Sequence, residues 1–148
     1  MNYLLNEDQR GFCDTLQRFV QNQANSAFLH RLADQAEGWQ ASLRKQWQDF
    51  ADLGFAGMLV PSDYLGLGLT LQDAALVAEV LGGHTAPIPF FNHQLCCLAI
   101  QLAGSETQKA QWLPKLASGE VVGSIAFHGT VGFQPADWSL NPAAGGTV

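Results

Sequence analysis

Residues Val60 to Gly82, VPSDYLGLGLTLQDAALVAEVLG, constrain the fold more than any other stretch of the chain, because a loop punctuated by glycine runs straight into a capped helix. Pro61, Gly66 and Gly68 fix tight turns, so the loop is shaped rather than merely flexible. Thr70 starts the helix. Its hydroxyl can accept from the Asp73 backbone N–H while the Asp73 carboxylate reaches back, and a negative charge suits the positive end of a helix. Leu71, Ala74, Ala75, Ala78 and Leu81 recur at helical spacing, and Gly82-Gly83 supply a stop. Such small residues let another backbone come close.

On either side the pattern is helical. Asn6 is a good N-cap with Gln9 at the third helical position, and Phe12, Leu16, Phe19 and Val20 form one apolar stripe, predicting a first helix to about Asn25. Phe28, Leu29 and Leu32 predict a short helical turn before a break at Gly38. A third helix is expected over 41–53, with Leu43, Trp47, Phe50 and Ala51 on one face and Gly54 at its end. Phe55 to Val60 is too short an apolar run for a helix and reads as extended, buried beneath the loop. After HTAPIP, a connector stiffened by two prolines, a helix begins at Phe90 or Phe91 and carries Leu95, Leu98, Ala99 and Leu102 to Gly104. Ser105 with Gln108 opens another, running towards Trp112 until Pro114 disturbs it, and Ser118-Gly119 makes a turn.

The period then changes. Val121, Gly123, Ile125 and Phe127 alternate with Val122, Ser124, Ala126 and His128, a strand pattern, and a second strand is expected around Trp138 to Leu140 before a hairpin signal at 144–147. The expected fold class is therefore mainly α: a helical domain over 1–119, then the first strands of an incomplete β domain over 120–148. Isolated hairpins are marginal in water, which points to a fragment, an isolated domain or a truncated gene product.

With 148 residues, 47% of them apolar, the chain has the size of one ordinary domain. It could bury about 70% of its unfolded surface. A formal net charge of −6 with seven Lys plus Arg argues against nucleic acid and against an anionic membrane surface. MNYLLNEDQR lacks a basic segment followed by an apolar one, so no secretory signal is read. Three cysteines, two of them adjacent, do not suggest a disulfide framework, and a cytoplasmic location is expected. No Asp, Glu, Lys or Arg occurs between Glu79 and Glu106, but Pro87, Pro89, Asn92, His93, Gln94 and Gln101 favour a buried helix over a membrane span.

Three motifs in order, Gly54 to Gly68, Thr70 to Gly82 and Leu102 to Glu120, together resemble the N-terminal half of the acyl-CoA dehydrogenase family from about Leu43 onward. The resemblance implies an FAD-dependent enzyme that dehydrogenates acyl-CoA thioesters between the α and β carbons. It also implies that the helical and β domains form one wall of the site. The other wall, with the glutamate that removes the α-proton, would come from a C-terminal bundle, so the base is expected beyond Val148 and no catalytic residue is assigned within the chain. Asp63 and Glu79, the carboxylates nearest the motif, read as a turn former and a solvated helix position. Where the family has Thr-Glu-Pro against the flavin, this chain has His128-Gly129-Thr130, so cofactor contact falls to Phe127 and His128, in part through backbone. Ile88, Phe91 and Leu95 are the expected acyl-pocket residues. Expected partners are the acyl-CoA substrate and a missing C-terminal half or complementary subunit, with an oligomeric parent. A non-catalytic helical module that binds a partner subunit is the alternative.

His93, Cys96 and Cys97 stand at i, i+3 and i+4, a spacing compatible with three metal ligands, but a fourth ligand is missing and buried thiols beside a core histidine explain them more simply. No metal is expected. Gly66-Leu67-Gly68 lacks the GxGxxG pattern of a dinucleotide loop.

Overall fold

The computed structural model describes residues 5–34 and 37–126. Six α-helices span these residues: α1 (Glu7–Gln23), α2 (Ser26–Asp34), α3 (Trp39–Asp52), α4 (Leu71–Gly83), α5 (Phe90–Ala103) and α6 (Glu106–Ala117). Three of them start on a reciprocal capping box: Asn6 with Gln9, Thr70 with Asp73, and Ser105 with Gln108. Each satisfies two backbone or side-chain donors that the first helical turn would otherwise leave open. The Asp73 carboxylate does more, accepting from the Thr70 N–H at 2.9 Å, the Thr70 hydroxyl at 2.7 Å and Gln9 Nε2 at 2.8 Å, which ties the start of α1 to the start of α4.

Phe50 of α3 sits at the centre of the larger core, fully buried. Its ring meets Phe55 at 5.2 Å, Phe90 and Trp47 at 5.9 Å and Phe19 at 6.0 Å between centroids, so α1, α3 and α5 share one aromatic cluster. A second, smaller core joins Val60 and Cys97 to Leu113, Leu116 and Ala117 of α6.

Between these cores runs the segment 55–60, every residue of it buried. It is a 3₁₀ turn at Phe55–Gly57 followed by irregular turns, not the extended chain that its sequence suggests. Buried irregular backbone must find hydrogen-bond partners, and here all six carbonyls do. Gln94 Nε2 donates to Phe55 O at 3.1 Å and Ala56 O at 2.8 Å, and Gln101 Nε2 donates to Leu59 O at 3.0 Å. The glycine loop supplies the rest: the Leu67 N–H reaches Gly57 O, the Leu69 N–H reaches Met58 O and the Gly68 N–H reaches Val60 O. Gly66 is required for this. A Cβ on it would lie 2.0 Å from Val60 O.

Other boundaries depart from expectation. Helix α3 starts at Trp39 rather than near Ala41, following Gly38 at φ 82°. Gly82 and Gly83 complete the last turn of α4 instead of stopping it, and Leu71 is exposed while Ala74, Val77 and Leu81 face inward. Helix α6 continues past Pro114 to Ala117, because burial of Leu113, Leu116 and Ala117 outweighs the hydrogen bond that proline removes. Residues 121–126 form no strand among the described residues, although their burial alternates as the pattern requires, with Val121, Gly123 and Ile125 inward. The second strand and the hairpin lie outside the described residues.

Replacing Gly66 by alanine should destabilise the chain by about 2–4 kcal/mol, since the added methyl must push the loop off the Val60 carbonyl. Urea unfolding followed by circular dichroism measures it. A midpoint within error of wild type would show that the loop contact contributes little.

Candidate functional site

Helices α4 and α5 leave between them a cavity of about 300 Å³, floored by Leu59 of the buried segment. Ala74, Ala75 and Ala78 line the α4 side, and their short side chains keep the space open. On the α5 side stand Phe90, Phe91, Leu95 and Leu98. No charged residue lines it, and its single amide belongs to Gln94. A cleft of this composition accepts a hydrocarbon chain.

Two of the three expected acyl-pocket residues thus meet. Phe91 stands at the mouth, 67% exposed, and Leu95 is half-buried. Ile88 lies elsewhere: it precedes α5 and lines a separate cavity of about 750 Å³ with Arg44, Trp47 and Glu120. The proline connector carries it away from the helix surface that faces α4. Neither Asp63 nor Glu79 lines the α4–α5 cleft. Phe127 and His128 lie outside the described residues.

The cleft is not built for FAD. A flavin pyrophosphate calls for backbone N–H groups or cations, and this lining offers carbon and one amide. Sequence reasoning missed Leu59, the alanines and Gln94 as cleft residues. The run of alanines carried the one available signal, small side chains on a helix face, which also fits close backbone packing.

A second constellation fixes how the chain leaves the helical bundle. His93 is fully buried, and its Nδ1 accepts the Gly123 N–H at 3.1 Å. Its ring stands edge-on to Trp47, centroids 4.7 Å apart, and the Trp47 indole N–H donates to Gly119 O at 2.8 Å. Gly123 packs so tightly on Cys96 that a Cβ would come 2.7 Å from its Sγ. Because Nδ1 accepts, the neutral ring carries its proton on Nε2, which has no hydrogen bond of good geometry. Burial pushes the pKa of this imidazole below its ordinary value, and the nearby carbonyls of Ala56 and Leu116 only partly oppose that.

Cys97 is fully buried and burial pushes its thiol up to about 12, which makes it inert as a nucleophile. Among the described residues no three His, Cys, Asp or Glu side chains are grouped to hold a metal. His93 is taken up by Gly123 and Trp47 instead.

Residues 6–120 match the family profile described as "Acyl-CoA dehydrogenase, N-terminal domain". The chain belongs to the acyl-CoA dehydrogenase family. It is 33% identical over 130 residues to the mitochondrial isovaleryl-CoA dehydrogenase of Bos taurus, covering 82% of this chain and 29% of that protein. It is 34% identical over 127 residues to the mitochondrial very long-chain specific acyl-CoA dehydrogenase of Homo sapiens, covering 82% of this chain and 19% of that one. Among solved structures, an acyl-CoA dehydrogenase complexed with FAD from Bacillus anthracis superposes with a TM-score of 0.64 at 27% identity, over 78% of this chain and 20% of the other. A chain from work on the electron transferring flavoprotein of Acidaminococcus fermentans gives 0.66 at 26%, over 82% and 32%. The chain therefore spans a third or less of these relatives, and what it shares with them is the helical N-terminal domain of the acyl-CoA dehydrogenases. No described helix is long and apolar enough to cross a membrane.

The His93 geometry sets a pH dependence. The unfolded imidazole takes up a proton near about pH 6.5, while the folded one does so only at lower pH. In that window the unfolded state binds more protons, so stability falls as pH falls through it. Unfolding free energies measured from about pH 7 to about pH 5 should decline, and His93→Gln should flatten the slope. A slope unchanged by the substitution would show that His93 does not couple folding to protons.

Proposed function

We propose that this chain forms the N-terminal wall of a flavin-dependent acyl-CoA dehydrogenase, in which the α4–α5 cleft receives part of the acyl chain of a CoA thioester. The observation that carries the reading is the cleft itself: uncharged, lined by alanine, leucine and phenylalanine, and present in a domain of this family. Phe91 and Leu95 contact the acyl chain there. Ile88, in the neighbouring cavity, belongs to the substrate site only through its family position. FAD enters through the family and through the Bacillus anthracis relative, and its contacts in this chain fall to Phe127 and His128.

The reaction is α,β-dehydrogenation of an acyl-CoA thioester. No carboxylate lines the cleft, and on the family reading the base that takes the α-proton is supplied from outside this helical domain. The parent assembly is oligomeric. Cys13, Cys96 and Cys97 are all free, which supports a reducing compartment, and the cytoplasm is the proposed one. A second reading, a helical module that binds a partner subunit without chemistry of its own, draws on the exposed Leu65, Leu67 and Leu102.

Calorimetric titration of the purified 148-residue chain with an acyl-CoA tests the proposal. Binding is expected, and Ala78→Leu should abolish it by filling the cleft at a stability cost of no more than about 1–3 kcal/mol. With FAD added, the chain alone should not dehydrogenate the thioester. A folded chain that binds no acyl-CoA would favour the partner-binding reading, and measurable dehydrogenation would place the base within these residues.

A further inference from the structure

Gln94 is 4% exposed and lines the α4–α5 cleft. Its amide orientation is fixed by chemistry: two carbonyl oxygens, Phe55 O at 3.1 Å and Ala56 O at 2.8 Å, face one end, and only the NH₂ can donate to both. The other end is therefore Oε1, which points away from those carbonyls. Oε1 is buried and has no hydrogen-bond partner. An acceptor in that state costs free energy, because it has lost water and gained nothing. A ligand that brings a donor to it would recover the loss, whereas a purely hydrocarbon ligand would not.

The geometry points to Gln94 as a specificity-determining residue that favours acyl groups bearing a hydrogen-bond donor, a hydroxyl above all, over unsubstituted acyl groups. This rests on the reading of the α4–α5 cleft as the acyl site. All other lining side chains are apolar, so a hydroxyl entering the cleft has one protein side chain to pair with. Oε1 has no accessible surface in the unliganded cleft, so a donor pairs with it only once the lining side chains yield around the ligand. The discrimination arises because one acceptor is satisfied or left orphaned, with little change in contact area.

Hexanoyl-CoA and its monohydroxylated isomers, titrated separately into the wild-type chain, supply the test, with the Gln94 side-chain carbonyl carbon followed by NMR. One hydroxylated isomer should bind about five- to tenfold more tightly than hexanoyl-CoA and alone shift that carbon. In Gln94→Met the preference for the hydroxylated isomer over hexanoyl-CoA should vanish. Gln94 also holds the Phe55 and Ala56 carbonyls, so should that variant fail to fold, the wild-type affinity ratio and the carbon shift decide. Equal binding of all the thioesters with no shift at Gln94 overturns the inference and leaves the cleft assignment standing. Binding of none of them by a folded chain overturns the cleft assignment and this inference with it.

Discussion

Six backbone carbonyls, those of residues 55–60, hold the architecture to one solution. The segment is too short and irregular to satisfy itself, and it is buried on all sides, so its partners had to be brought from elsewhere. Two glutamines of α5 reach in from one direction and the amides of the glycine loop from the other. Once α5 is pinned by Gln94 and Gln101, and the loop by Leu67, Gly68 and Leu69, the position of α4 follows, since Thr70 caps it directly after the loop. The cleft between α4 and α5 is thus a by-product of satisfying a buried strip of main chain.

Much of this was legible in the sequence where the governing interactions are local. The capping boxes of α1, α4 and α6 each lie within four residues, and the aromatic and leucine stripes of α1 and α3 follow a single period. Legibility fails where distant contacts decide. Nothing within Phe55–Val60 announces that side chains some forty residues later will take up its carbonyls, so an apolar run reads as extended chain. Pro114 reads as a breaker because the burial that retains its helix comes from α5 and Val60. The residues after Glu120 show the converse: alternation in the sequence reappears as alternation of burial without a paired strand.

The site follows the same division. Phe91 and Leu95 are one helical turn apart, so once the resemblance puts the acyl pocket at the start of α5 their shared face follows. Ile88 could not be separated from them by spacing alone, because the direction taken by a proline-bounded connector is set by what it packs against. The alanines of α4 signalled close approach, yet in the structure they leave room. Small side chains serve either end, and only the neighbouring helix determines which.

Apart from the buried Asp73 carboxylate that ties α1 to α4, the links that bind the interior are neutral. Glutamine amides, an indole N–H and an uncharged imidazole join its parts, while the ion pairs Lys45–Asp49, Lys109–Glu106 and Lys115–Glu120 all stand at the surface. Ionic strength therefore reaches only the periphery of this domain. Its acidic exterior is free to drift in composition, or to be redesigned for solubility or for a different neighbour, without retuning the framework that shapes the cleft.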